Sequence, residues 1–147
     1  MEKEFDISGI EIETLTLERM FVDKLFATEF YYLRNMFTDT SKHLYDLSVL
    51  FKTAKIQKLL KNKNQLYNLI RFKRKEEELR IGGINKNTKI KDFNYFKLYF
   101  EPSLLKEFQN MQNKYVLTEK YKIKIEETKN ILNKMYNIFS NFKKENY

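Results

Sequence analysis

The chain contains no cysteine, only one proline and only three glycines. Without cysteine there is no disulfide, no thiol nucleophile and no thiolate metal site, a usage that suits a cytoplasmic protein. So little proline and glycine argues against a loop-rich all-β fold and for long helices. No apolar run nears the roughly 20 residues that span a bilayer, so no membrane partner is expected. Met1 to Ile10 is acidic and lacks the apolar core of a signal peptide. The five aspartates (Asp6, Asp23, Asp39, Asp46 and Asp92) never form Asp-x-Asp, whereas two-metal phosphoryl transfer needs clustered carboxylates. His43 is the only histidine and has no partners at zinc-ligand spacing. Ser41, His43 and Asp46 sit too close together on one helix to make a nucleophilic triad. Glu11 and Glu13 share the wet face of an alternating segment and could bind Mg²⁺, but such alternation is far more often a solvated strand face.

What is present is an apolar content of 42% and an aromatic content of 16%, enough for a buried core in one domain spanning all 147 residues. Charge is unevenly placed. Residues 1–50 carry 5 Lys/Arg against 10 Asp/Glu, and residues 51–147 carry 23 against 10. Nine basic residues and no acidic one lie between Lys52 and Lys75. Such a field favours phosphate-rich partners through steering and counterion release, with Lys52, Lys55, Arg71, Lys73 and Arg74 as candidate nucleic-acid contacts. A solvated helix face in a chain with 14 asparagines, as an AT-rich genome would encode, is the competing reading.

Periodicity predicts a mainly α fold: a helical bundle of about six helices with a short N-terminal β segment. Residues 1–16 hold the β segment, where Ile10-Glu11-Ile12-Glu13-Thr14-Leu15 alternates, and 17–147 form the helical domain. Helices are expected over about 17–36, capped by Thr16, and from a polar, cap-like Thr38-Asp39-Thr40-Ser41 to about Lys52. Further helices are expected over 53–60, 65–80, 102–114 and 119–143. Asn62-Lys63-Asn64 reads as a turn. Gly82-Gly83 reads as a left-handed C-cap and not as a phosphate loop, because no lysine–serine pair follows. Residues 92–100 read as a short aromatic helix or strand.

Lys24 is the unusual residue. At about 100° per residue it points between Leu17, Met20, Phe21 and Tyr31, on an apolar face. An ammonium there must snorkel, pair with a carboxylate, or line a cleft that holds an anion. Asp46, 22 positions further on, borders the next apolar stripe. Lys24 with Asp46 is therefore the leading candidate pair: a point charge suited to phosphate, and a carboxylate able to hold it or to orient a hydroxyl. Two adjacent antiparallel helices also produce an ordinary salt bridge at this spacing.

The stretch Glu13-Thr14-Leu15-Thr16-Leu17-Glu18-Arg19-Met20-Phe21-Val22-Asp23-Lys24-Leu25, followed by Ser41-Lys42-His43-Leu44-Tyr45-Asp46-Leu47, resembles the second half of the AbiEii/AbiGii-type nucleotidyltransferase toxins of toxin–antitoxin and abortive phage-defence systems. Lys73-Arg74, Gly82-Gly83-Ile84 and Phe108 with Met111-Gln112 also fit. The resemblance implies the C-terminal part of a polymerase-β-like nucleotidyltransferase, which moves a nucleotide from an NTP onto an acceptor such as tRNA. It implies catalytic roles for Lys24 and Asp46 and nucleotide contacts from Lys24, Lys42 and His43. Lys42 stands where arginine is commoner. Mg²⁺ and NTP are the implied cofactors. The family's Gly-Gly-Thr/Ser loop and Asp-x-Asp pair do not occur here, so the metal-bearing half is expected from a separate N-terminal catalytic half, with a cognate antitoxin as a further partner. The alternative is a non-catalytic basic helical module that binds RNA or a protein.

Overall fold

The structure, a computed structural model, describes residues 16–100 and 102–142. They form six α-helices: α1 (Leu17–Tyr32), α2 (Phe37–Phe51), α3 (Ala54–Lys61), α4 (Lys63–Leu79), α5 (Pro102–Tyr115) and α6 (Ile125–Ser140). Tight 3₁₀ turns at Ile90–Asp92, Asn94–Phe100 and Glu119–Tyr121 fill the connections. The unresolved choice over 92–100 thus falls to a 3₁₀ segment, kinked at Lys97. Among the described residues there is no strand, and the fold is an all-helical bundle. The expected β segment over 5–15, with Glu11 and Glu13, lies outside the described residues.

The central helix is α1. Phe21, Val22, Leu25, Phe26 and Phe30 are all buried, and they cover more of its circumference than one apolar stripe would. It packs most extensively on α2 and also meets α3, α4 and the 3₁₀ segment Asn94–Phe100. A short loop, 33–36, makes α1 and α2 antiparallel neighbours. Asn35 turns that loop in the left-handed region, φ 56°, which asparagine tolerates. Leu44 and Leu47 of α2, Ile56 and Leu59 of α3, Leu66 and Ile70 of α4, Leu104 and Phe108 of α5, and Leu132 and Met135 of α6 complete the core. Each such side chain contributes roughly 1.5–3 kcal/mol on burial.

Caps set the helix boundaries. The Thr16 hydroxyl accepts from the Arg19 amide at 3.1 Å, as expected. Thr53 does the same for Ile56 at 3.3 Å and starts α3. Asn62 is not the head of a three-residue turn. It closes α3 and caps α4 by accepting from the Gln65 amide at 3.2 Å, so one residue joins two helices. Thr38–Ser41 is likewise not a cap but the first turn of α2, where the Thr40 hydroxyl bonds back to the Met36 carbonyl at 2.8 Å. Gly82 is left-handed, φ 71°, yet it lies beyond the end of α4 and not at its cap. The Arg34 guanidinium donates to the Gly82 carbonyl at 2.8 Å, and a Cβ at residue 82 would collide with that guanidinium.

A buried carboxylate ties α1 to the 3₁₀ segment. Glu29 accepts from the Asn94 amide at 2.9 Å and from the Tyr95 amide at 3.2 Å. The Asn94 side-chain amide adds a third contact at 2.9 Å. Burial pushes this carboxyl above its ordinary range, and the Asn94 and Tyr95 bonds oppose that shift. Tyr95, wholly buried, donates its hydroxyl to the Leu25 carbonyl at 2.8 Å. Glu29→Ala leaves two amide donors without their acceptor and is expected to cost about 2–3 kcal/mol in urea unfolding. A loss below about 0.5 kcal/mol would show that water replaces the carboxylate there.

Candidate functional site

The α1–α2 hairpin brings Lys24 and Asp46 together. The Lys24 ammonium lies 2.9 Å from Asp46 Oδ2 and 3.1 Å from His43 Nδ1. Antiparallel packing explains the meeting: Lys24 sits two turns before the end of α1, and residues 43 and 46, nearly one turn apart, share the facing side of α2. An ammonium only donates, so Nδ1 accepts and the neutral ring carries its proton on Nε2. Burial, then the Lys24 charge, holds His43 below its ordinary pKa, with Asp46 opposing. The imidazole also stacks on Tyr31, with centroids 5.2 Å apart and planes 13° apart. Tyr31 is a site residue that sequence reasoning placed only beside Lys24 on the α1 face.

The Lys24 side chain remains 24% exposed and that of Asp46 47%. The cluster is therefore a half-buried cation held between a carboxylate and a neutral imidazole, reachable from solvent. An inter-helix ion pair has the same 2.9 Å contact. What it does not require is the second acceptor, His43, and the stacked ring that fixes it. Lys42 is not in the cluster. It points toward α5, its ammonium 4.7 Å from the Tyr115 ring centre. The cavities lined by Arg71 and Lys86, by Lys52 and Lys134, and by Lys58 and Lys63 do not include Lys24, His43 or Asp46.

The basic run between Lys52 and Lys75 is not one exposed face. Lys52 pairs with Glu127 of α6 at 2.9 Å. Lys55 and Arg71 are exposed. Lys73 is turned inward, its side chain 12% exposed, among Asp23, Glu76 and Glu77 at 3.6, 3.9 and 3.5 Å. Arg19 joins this α1–α4 network through Glu76 at 2.7 Å. Arg74 is buried and donates to the backbone carbonyls of Thr88, at 2.6 Å, and Asn85, at 3.4 Å. The physical reason is periodicity: on α4, residues 66, 70, 73, 74 and 77 share the side that meets α1, and two of them are basic. Lys73 and Arg74, expected to contact nucleic acid, are both anchored within the fold.

Among the described residues no three His, Asp or Glu side chains converge as metal ligands. At the Lys24 cluster one carboxylate stands beside an ammonium, a donor set that does not fit Mg²⁺. Among the described residues no helix is long and apolar enough to cross a membrane. No protein-family model, no curated protein and no solved structure matches the chain.

The depressed pKa of His43 carries a stability consequence. Its folded value lies below the unfolded 6.5, so as pH falls the unfolded state takes the proton first. The stabilisation is complete above pH 6.5 and is lost as pH falls through the folded value. Glu29 runs the other way: its raised value removes stability as pH rises above 4.5. Comparing wild type with His43→Gln cancels the Glu29 contribution. Urea unfolding from pH 8 to pH 5 is expected to show a steeper acid loss in wild type than in the variant. Parallel curves would mean that the ring titrates as it does in the unfolded chain.

Proposed function

We infer that this chain is the helical C-terminal portion of a nucleotidyltransferase toxin of the AbiEii/AbiGii type, serving transfer of a nucleotide from an NTP to an acceptor such as tRNA. The observation that carries the reading is the meeting of the Lys24 ammonium with Asp46 and His43 across the α1–α2 hairpin. The resemblance assigns roles to these same residues. In this reading Lys24 binds the phosphates of the NTP. Asp46, released from the ion pair when phosphate takes its place, orients the nucleotide or the attacking hydroxyl. The neutral imidazole of His43 accepts from Lys24 and steers its ammonium without adding a competing positive charge. Lys42, exposed beside the cluster, contributes to the field that attracts the nucleotide.

The described residues do not fit a metal. The metal ligands that such chemistry uses would come from a separate catalytic half carrying Gly-Gly-Thr/Ser and Asp-x-Asp. A second reading, a basic module that holds RNA without chemistry, is favoured by α3, where Lys55, Lys58 and Lys61 are all exposed.

Labelled NTP and tRNA separate the two readings. Transfer is expected only when the chain is mixed with the product of an adjacent reading frame that supplies the missing motifs. Lys24→Ala is expected to weaken nucleotide binding about tenfold or more, the loss of one charge-assisted contact. Its stability should change by no more than about 1 kcal/mol, because the pair is partly exposed. RNA binding with a steep salt slope, no transfer in the mixture and no effect of NTP would establish the binding module instead. A large stability loss in Lys24→Ala with nucleotide binding unchanged would make Lys24 a structural ion-pair partner.

A further inference from the structure

A second concentration of positive charge lies on the far side of α1 from the Lys24 cluster. Residues 24 and 26 are about 200° apart around that helix, and Arg74 of α4 sits over the Phe26 ring at 5.0 Å. Beside Arg74 opens a cavity of about 340 Å³ lined by Tyr67, Arg71, Arg74, Lys75, Lys86 and one carboxylate, Glu78. Arg71 and Lys75 are one helical turn apart on α4, and Lys86 reaches in from the following loop. None of Arg71, Lys75 and Lys86 makes an ion pair with another described residue.

The floor of the cavity is unusual. Arg74 is 8% exposed, and its Nε has no hydrogen-bond partner. Its terminal nitrogens are used to hold the loop, through the carbonyls of Asn85 and Thr88. That loop is itself a tight turn: the Asn87 amide donates to Asn85 Oδ1 at 2.8 Å, and the Thr88 amide to the Asn85 carbonyl at 3.0 Å. Burial draws the Arg74 pKa down to about 10, with Glu77 opposing. Arg74 thus keeps one idle donor, with Glu77 as its charged neighbour, at the base of a cavity whose lining is mostly cationic. The turn fixes where the Lys86 backbone is presented beside the cavity.

We propose that this cavity is a phosphate-binding site, in which Arg71, Lys75 and Lys86 grip a phosphate group above the buried Arg74. Two sources share that chemistry: the backbone of an RNA strand, and a free phosphate or nucleotide. The site is independent of the Lys24 cluster and does not require that the chain take part in nucleotidyl transfer. The competing account is structural, with Arg74 only a pin for the loop and Arg71 and Lys75 on a solvated face.

The test is a titration of the isotope-labelled chain at constant ionic strength, read by the Arg74 Nε–H resonance and the Lys86 and Asn87 amides. Inorganic phosphate is expected to shift these signals to saturation while leaving the α3 lysine segment unmoved. Arg71→Gln with Lys75→Gln, both at exposed positions, should weaken that binding about tenfold or more while circular dichroism stays unchanged. Lys24→Ala should leave it intact, so failure of the transfer reading and failure of this site are distinguishable. A short RNA without terminal phosphates forms the second arm. If it moves the same signals and phosphate competes with it, the source is the RNA backbone. If only phosphate moves them, the source is a free phosphate or nucleotide. Shifts that never saturate, or that spread evenly over the α3 lysines, would overturn the site. So would equal affinity in the double variant.

Discussion

A helix buried on most of its circumference cannot leave its own charges unanswered, and the rest of this bundle is arranged around answering those of α1. Arg19 and Asp23 meet the Glu76 and Lys73 side chains of α4. Lys24 meets Asp46 and His43 of α2. Glu29 meets the Asn94 and Tyr95 amides. Arg34, just past the helix end, meets the Gly82 carbonyl. The sides of α1 that meet α4, α2 and the 3₁₀ segment therefore each carry a polar contact beside the apolar ones. The apolar contacts supply most of the stability, because burial is non-directional and large. The polar ones set register, since an unmatched buried charge costs several kcal/mol and only one docking satisfies all of them.

The charges of the bundle are held in different ways. Glu29 is sunk deep and bonded to amides that do not leave, which suits a structural role. Lys24 and Arg74 are each held by groups that leave something over. Lys24 keeps a quarter of its side chain in contact with solvent, and Arg74 keeps an idle Nε. Residual exposure and residual donor capacity are what a ligand needs in order to displace or add to existing contacts. Both functional readings rest on that distinction between a satisfied charge and an incompletely satisfied one.

The helical class, the helix count and the Lys24–Asp46 meeting were legible in the sequence because they depend on one simple periodicity, 3.6 residues per turn, and on a loop too short for anything but an antiparallel return. Thr16 announced its cap for the same local reason. Other features depend on distant residues and leave no local mark. Glu29 reads as one more charge on α1 until the 3₁₀ segment 65 residues later brings its amides. Lys73 and Arg74 read as members of a basic run, because net charge per segment does not register which side of a helix faces the core. The turn at Asn85–Thr88 is held by a side chain from α4, so its own residues do not fix its shape. Gly82 showed that its backbone would be left-handed. That the turn serves Arg34 and not the helix end needed the tertiary contact.

The Lys24–Asp46 pair bears on function through its strength as much as its geometry. An exposed or partly exposed ion pair is typically worth about 1 kcal/mol or less. A fully desolvated pair would be locked, since extracting either partner would strand a buried charge at a cost of roughly 3–5 kcal/mol. With Asp46 nearly half exposed, the lower figure applies. A phosphate carrying more charge than one carboxylate can therefore compete for the ammonium, and the displaced Asp46 can return to water. The neutral His43 ring matters at that moment. Were it protonated, it would sit 3.1 Å from Lys24 as a like charge and push the ammonium away from the position where it is held. Burial of the ring against Tyr31 favours the neutral form, so the lysine stays positioned whether its counter-charge is the aspartate or an arriving anion.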